Sequence, residues 1–290
     1  MPELPEVETT MRDLRSAGIL GARIDGVEVL RARTVEPLGA EEFAARIAGC
    51  RLAALRRRGK FLLFFLEEDG VLAAHLRMSG SFSLAPRSEP RDRHDRLILV
   101  LAPPLQSEAG GPEESGTVEL RFHDPRAFGR LRLLSAEEEV TDGLGPEPLD
   151  PALDDAAFHC LLQRRRQLKP LLMDQQVLAG LGNIYTDEAL HAALLHPLTP
   201  AHTLDRARAA RLLAAIRETL RSAIELRGTS LGGGEGNYRS AGRQGDNSSR
   251  LAVYGRTGLP CPRCGTAIER IIVGQRSTHL CPRCQPAQKD

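Results

Sequence analysis

Two periodicities divide this chain into regions before any residue chemistry is considered. Near the N-terminus Val7, Met11 and Leu14 recur at i, i+4 and i+7, and Gly18 follows as a C-cap, which predicts an amphipathic helix. Alternating or continuous apolar runs come next, at residues 27–30, 61–66, 71–76, 97–101, 118–122 and 131–134, with glycine, proline or charged turns between them. Short strands at this spacing predict an antiparallel sandwich or barrel. Residues 107–116, rich in Gly and Glu, read as a mobile hairpin loop between two of the strands. Past residue 137 the pattern changes. A Gly- and Pro-punctuated linker gives way to helical periodicity, and the last helix, near residues 204–227, carries Leu212, Leu213, Ile216, Leu220 and Ile224 on one face. Arg227 and Gly228 close it. Residues 232–249 are so rich in Gly, Ser and Asn that they read as too polar to pack, a mobile functional loop.

Cysteine spacing sharpens this outline. Cys261-Pro262-Arg263-Cys264 and Cys281-Pro282-Arg283-Cys284 are two C-x-x-C knuckles 16 residues apart, while Cys50 and Cys160 stand alone. That spacing fits one tetrahedral Zn2+ held by four thiolates, and a site closed by four cysteines is structural rather than catalytic. The spacer reads as a β-hairpin, Ile271-Ile272-Val273, a turn carrying Gln275-Arg276, then Thr278-His279-Leu280. An arginine at such a tip is well placed for a phosphate, although a surface arginine taken alone is more often merely solvated.

Charge changes the picture by its distribution. The net charge is only +1, yet residues 227–290 carry ten Lys/Arg against four Asp/Glu. A basic excess confined to one module is the footprint of a phosphate binder, or of an ordinary solvated face. No apolar run approaches the roughly 20 residues that span a bilayer. The polar, acidic N-terminus is no signal peptide, so a cytoplasmic location is expected.

Three further features carry candidate chemistry. The chain begins Met1-Pro2-Glu3-Leu4-Pro5-Glu6. Excision of Met1 would leave Pro2 as a free secondary amine. With an α-amino pKa near 8, against about 10.4 for lysine, it offers roughly a few-hundredfold more neutral nucleophile at neutral pH. Such an amine attacking a sugar C1′ forms an iminium, and Glu3 and Glu6, a helical turn apart, could handle the protons. The same acidic residues also make a plain helix start. Gly180-Leu181-Gly182-Asn183 lies between helical segments, with Asn183 as a candidate N-cap and an anion-binding helix start, or simply a helical hairpin. Arg56-Arg57-Arg58-Gly59-Lys60, His75-Leu76-Arg77-Met78-Ser79-Gly80 and Asp124-Pro125-Arg126-Ala127-Phe128-Gly129 each put a cation beside a turn. Met78 and Phe128 on such turns are core residues, or wedges for a base stack.

Taken in order along nearly the whole chain, PELPEVE, RRGK, HLRMSG, DPRAFG, GLGNIY, VYGR at 253–256 and the two knuckles closely resemble the formamidopyrimidine-DNA glycosylase family. The resemblance implies an α+β chain: an N-terminal antiparallel β-sandwich flanked by helices (1–136), a linker (137–150), a helix–two-turns–helix domain (151–228), a lesion-capping loop (229–251) and a four-cysteine zinc finger (252–290). It implies duplex DNA bearing oxidised bases or abasic sites as partner, bound by a monomer, with one structural Zn2+ on Cys261, Cys264, Cys281 and Cys284. Pro2 would be the nucleophile, Glu3 the catalytic carboxylate, and Glu6 part of the lesion pocket. Lys60 and Arg276 would complete the catalytic group by gripping phosphates, as would His75 and Asn183 in binding DNA. Met78, Arg126 and Phe128 would fill the void left by the extruded nucleotide, the arginine reading the opposite base.

Two positions depart from the family pattern: Ala127 stands where a second arginine is frequent, and Gly245-Asp246-Asn247 where a Gly-Tyr-Phe-like segment is common. The implied function is a bifunctional glycosylase and abasic-site lyase of base excision repair, removing 8-oxoguanine and formamidopyrimidines with β- and δ-elimination in the bacterial nucleoid. Its alternatives are the sister endonuclease for oxidised pyrimidines and a non-catalytic damaged-DNA binding protein. Leu4 with the HLRMSG and DPRAFG pair favours the purine enzyme, and intact Pro2, Glu3 and Lys60 speak against a mere binder.

Overall fold

The computed structural model describes residues 2–67, 70–102, 117–231 and 238–287. Met1 and the loop at 107–116, two subjects of the sequence reading, lie outside these. The chain divides into two units, residues 1–142 with 227–246, and residues 143–226 with 247–290.

The first unit opens with α1 (Leu4–Ser16), followed by β1 (Ile24–Val29), α2 (Ala40–Ile47), β2 (Leu52–Arg58), β3 (Phe61–Leu66), β4 (Val71–His75), β5 (Ser81–Pro86), β6 (Asp95–Leu101), β7 (Val118–His123), β8 (Arg130–Leu134) and the short α3 (Glu138–Thr141). Two four-stranded antiparallel sheets form, in the orders β1-β6-β7-β5 and β2-β3-β4-β8. One apolar core lies between them, built from Ile24, Leu97, Leu99, Leu120 and Phe122 of one sheet and Leu55, Leu62, Phe64, Leu72 and Leu131 of the other. Val7, Met11 and Leu14 of α1 and Phe43 and Ile47 of α2 join that core, so the sandwich is flanked by helices as expected.

The residues explain which strands were visible in the sequence. In β3, Leu62 and Phe64 face the core while Leu63 packs with Val71, Ala73 and Leu134 on the other face, flanked by Phe61, Phe65 and Val140 of α3. Burial on both faces requires an unbroken apolar run, and FLLFFL is one. β2 and β5 had no such signature. A register shift between Leu52 and Ala54 lets Leu52 and Leu55 both face inward, which breaks the period of two. Its outer arginines are used locally, Arg56 lying 4.7 Å over the Phe65 ring and Arg57 pairing with Glu8 at 2.9 Å. In β5 the apolar Phe82 and Leu84 alternate with Ser81 and Ser83 and end at Pro86, too few to stand out.

The polar stretch at 232–249 was expected to stay unpacked. Its described part, from residue 238, does pack: Tyr238, Ser240 and Asn247 are buried, and β9 (Arg239–Ser240) pairs with β10 (Arg243–Gln244). Polar residues can be buried there because each finds a partner. The Tyr238 hydroxyl donates to the Glu6 carbonyl at 2.8 Å, Ser240 Oγ donates to the Asp13 carboxylate, and Ser230 Oγ links the Tyr238 carbonyl to the Gly245 N–H.

The second unit contains α4 (Asp155–Leu162), α5 (Leu168–Leu172), α6 (Asn183–Ala192), α7 (Arg206–Glu225) and the hairpin β11 (Glu269–Val273)–β12 (Arg276–Leu280). Asp154 and Asp205 cap α4 and α7, accepting the Ala157 and Arg208 N–H groups at 2.7 Å each. Leu212, Leu213, Ile216, Leu220 and Ile224 are buried, as the periodicity of α7 requires. The β11–β12 turn is Gly274-Gln275, both with positive φ, so Arg276 is the first residue of β12, paired with Val273, rather than part of the turn.

Candidate active site and metal centre

In the first unit the site grows from the start of α1. Glu3 is the N-cap, and a capping box closes on it: the Glu3 side chain accepts the Glu6 N–H, and the Glu3 N–H donates to Glu6 Oε2 at 2.7 Å. Pro2, Glu3 and Glu6 are all buried. The other Glu6 oxygen accepts the Thr229 N–H at 2.8 Å. Glu6 therefore ties the helix start to the segment beginning at Gly228, whose φ of +82° turns the Thr229 amide toward it. Asp13, two turns on, receives both Arg227 guanidinium nitrogens at 2.6 and 2.9 Å. The root of the segment expected to cap a lesion is thus anchored along α1.

Two contacts set the direction of α1. Arg15 reaches the Leu55 carbonyl and Glu8 pairs with Arg57, so the helix start points to the end of β2 where Gly59 and Lys60 turn into β3. At that same sheet end Phe61 pairs with His75, and His75 with Arg130. Lys60 is buried, and His75 lies edge-on to the Phe61 ring at 5.0 Å. His75 Nδ1 accepts the Arg77 N–H at 3.0 Å. Burial, reinforced by the charges of Arg77 and Lys60, depresses its pKa to about 3. The imidazole is therefore neutral at pH 7, with Nε2–H as its donor.

The loops after β4 and β7 rise beside it. Met78 is half-buried, whereas Arg126 is exposed and Phe128 is 46% exposed, with the Arg126 guanidinium 5.4 Å over the Phe128 ring. Among the described residues Phe128 is the one aromatic in the set of exposed large apolar side chains, the position that the wedge reading requires. Pro2, Glu3, Lys60, His75, Met78, Arg126 and Phe128 therefore all belong to this unit, four of them on turns at one sheet end.

Asn183, Arg276 and the four cysteines belong to the second unit. Asn183 is the first residue of α6, with Gly182 in the N-cap position that the sequence reading gave to Asn183. Its Nδ2 donates to the Ser277 carbonyl at 3.0 Å, next to the exposed Arg276. The same carbonyl accepts from Lys169 Nζ at 2.9 Å. Lys169 is fully buried against Asp187 at 2.6 Å, and Asp187 also accepts the His279 N–H at 2.8 Å. Glu188 accepts three successive N–H groups, those of Ala252, Val253 and Tyr254, and burial pushes its carboxyl pKa up. Lys169, Asp187 and Glu188 were missed as anchors; α6, NIYTDEALHA, is too mixed in polarity for its acidic pair to stand out, though the helix is buried from Ile184 to His191.

The four cysteine sulfurs lie within 4.8 Å of one another, with Cys264–Cys281 at 3.4 Å and Cys261–Cys284 at 4.0 Å. Tetrahedral Zn–S bonds of about 2.3 Å put sulfurs about 3.8 Å apart, so the set fits one zinc ion. The Arg263 and Cys284 N–H groups point at Cys261 and Cys281 sulfurs at 3.4 Å, which stabilises thiolates, and His191 Nε2 lies 3.4 Å from Cys261 Sγ.

Comparison with known proteins bears on this geometry. Residues 1–131 match the formamidopyrimidine-DNA glycosylase N-terminal domain, residues 144–233 the H2TH domain of that family, and residues 258–287 a zinc finger found in FPG and IleRS. A formamidopyrimidine-DNA glycosylase of Herpetosiphon aurantiacus is 45% identical, the match covering 98% of this chain and all of the relative. One from Thermobifida fusca is 43% identical over 99% and 98% of the two chains. Among solved structures, Lactococcus lactis FPG bound to DNA containing Fapy-dG superposes with a TM-score of 0.85 at 35% identity, covering 98% of this chain and 100% of that one. The same figures hold for Lactococcus lactis Fpg with DNA containing an abasic site.

Proposed function

This chain belongs to the formamidopyrimidine-DNA glycosylase family and is a DNA glycosylase of base excision repair, and we propose that it removes oxidised purines from duplex DNA through an imine formed at Pro2. The observation that carries this reading is the course of α1, whose start holds Pro2 and Glu3, buried, toward the sheet end bearing Lys60 and His75. Attack of the Pro2 amine on C1′ of an extruded nucleotide expels the base, and loss of the ring oxygen bond gives an iminium. That cation makes the C2′ proton acidic, so the 3′ phosphate leaves by β-elimination and the 5′ phosphate by δ-elimination, leaving a one-nucleotide gap. Glu3, oriented by the Glu6 N–H, is the carboxylate for proton transfer. Lys60, Arg276, Asn183 and the neutral His75 hold phosphates; Met78, Arg126 and Phe128 fill the void; Glu6 fixes the root of the capping segment that closes on the lesion. Zinc is structural here: bound by four thiolates, it holds the hairpin that carries Arg276.

The substrate reading covers 8-oxoguanine and formamidopyrimidines, acted on by a monomer on chromosomal DNA in the cytoplasm. Among the described residues no helix is long and apolar enough to cross a membrane. Borohydride trapping tests the nucleophile: the protein lacking Met1 should form a covalent adduct with lesion-bearing duplex, and Pro2→Gly should abolish it. A Pro2→Gly protein with the wild-type adduct yield would overturn the assignment. Protein retaining Met1 carries an amide at Pro2 and should neither trap nor nick. Excision rates on 8-oxoguanine and thymine glycol duplexes separate the purine reading from the pyrimidine one.

A further inference from the structure

We propose that Ser79 and Asp124 form a buried latch that joins the two void-filling loops into one wedge, making both positioning residues for extrusion and opposite-base reading. This rests on the roles given above to Met78, Arg126 and Phe128. The loop after β4 carries Met78 and the loop after β7 carries Arg126 and Phe128, 48 residues further along from Met78 to Arg126. Nothing in sequence adjacency holds them together.

The structure supplies the connection. Ser79 and Asp124 are 2% and 1% exposed, whereas the neighbouring Arg126 and Phe128 are exposed and Met78 is half-buried. Ser79 Oγ donates to Asp124 Oδ1 at 2.5 Å and accepts the Arg126 N–H at 3.2 Å. Asp124 Oδ2 accepts the Gly129 N–H at 2.7 Å, and the Asp124 carbonyl accepts the Ala127 N–H at 3.1 Å. One carboxylate thus grips the far loop by its hydroxyl and its own loop at the residue after Phe128. From outside, Arg96 Nε donates to the Asp124 carbonyl at 2.8 Å, and the Asp124 N–H donates to the His94 carbonyl at 2.9 Å.

Two further observations point the same way. Arg77 and Ala127 have φ of +56° and +53°, and each adjoins a wedge residue. Residues with a Cβ hold that conformation when their surroundings over-determine it. Gly129 sits so close to the core that a Cβ would fall 2.4 Å from the Phe122 ring, which seats the loop directly on the sandwich. Among the described residues Asp124 is paired with no cation; its partners are a hydroxyl and an amide. A buried carboxylate held this way fixes directions in space rather than balancing charge.

The consequence is preorganisation. Tips already fixed lose little freedom when they enter a base stack, so the binding energy is not spent on ordering them. Without the latch, Arg126 no longer meets the opposite base at a fixed angle. A single-stranded abasic site has no void to fill and no opposite base, so its cleavage does not draw on the latch.

Ser79→Ala removes the hydroxyl from the bridge and Asp124→Ala removes the carboxylate that holds both Ser79 Oγ and the Gly129 N–H. Both should lower kcat/KM on an 8-oxoguanine:C duplex by about ten- to a hundredfold, the scale of an ångström misplacement. Both should also bring the preference for C over A opposite the lesion toward unity, with nicking of single-stranded abasic DNA within about twofold of wild type. Unchanged opposite-base preference in either folded variant overturns the proposal. So does a parallel loss of single-stranded nicking, which marks a general structural role. Wild-type protein assayed alongside keeps the two readings apart: if it fails to excise from duplex, the assigned activity fails and the wedge with it.

Discussion

His75 illustrates what a residue's surroundings add to its type. A histidine in a basic loop suggests a charged phosphate contact, yet burial and the neighbouring Arg77 and Lys60 hold it neutral, with a pKa of about 3. The ordinary histidine value, near 6.5, applies to the unfolded chain. Between these two values the unfolded state binds the extra proton, so the stability tied to a neutral His75 is complete above pH 6.5 and is lost as the pH falls toward 3. The acid limb of the stability curve should therefore be steeper in wild type than in His75→Gln, by at most about 1.4 kcal/mol per pH unit. Urea denaturation between pH 7 and 4 measures it, and identical limbs would show that His75 is not held neutral. The residue was visible in the sequence as a candidate; its protonation state was not, because that state depends on Lys60 from the β2–β3 turn and on burial that only the fold creates.

Elements differ in the same way in how openly the sequence announces them. β3 and α7 were visible because burial on both faces, or on one helical face, leaves a repeating apolar trace, and the cysteine hairpin because metal geometry demands its spacing. β2 was hidden by its register shift and its outward arginines. The anchor between α5, α6 and β12 was hidden for another reason: Lys169, Asp187 and Ser277 are brought together from positions 18 and 108 residues apart, and no local pattern records that. Lys169 and Asp187 are both fully buried. Removing one member of such a pair strands the other charge, so Lys169→Met or Asp187→Asn should each destabilise the protein by about 3–5 kcal/mol. The double variant Lys169→Met/Asp187→Asn should recover much of that loss, because it buries no unpaired charge and keeps an acceptor for the His279 N–H. Denaturant midpoints of the three variants check both statements, and additive losses in the double variant would refute the coupling.

On the scale of the whole molecule, a net charge of +1 gives DNA no general attraction, so affinity must come from where the cations are placed. The basic excess in residues 227–290 was legible from composition, but composition could not say which cations are available. Several arginines are committed internally: Arg227 to Asp13, Arg57 to Glu8, Arg121 to Glu119. Arg276 is exposed beside the turn of the zinc hairpin, while His75 and Asn183 bring neutral N–H donors. Phosphate contacts of these two kinds respond differently to salt, because only a cation releases a counterion on binding. Arg276→Ala should weaken binding of a duplex carrying an uncleavable abasic analogue and also flatten the plot of log affinity against log salt by about one unit. His75→Ala should weaken binding with the slope unchanged. Fluorescence anisotropy between roughly 50 and 200 mM salt resolves a difference of that size. Parallel slopes for Arg276→Ala and wild type would mean that Arg276 touches no phosphate, and equal flattening by His75→Ala would mean that the histidine binds DNA as a cation.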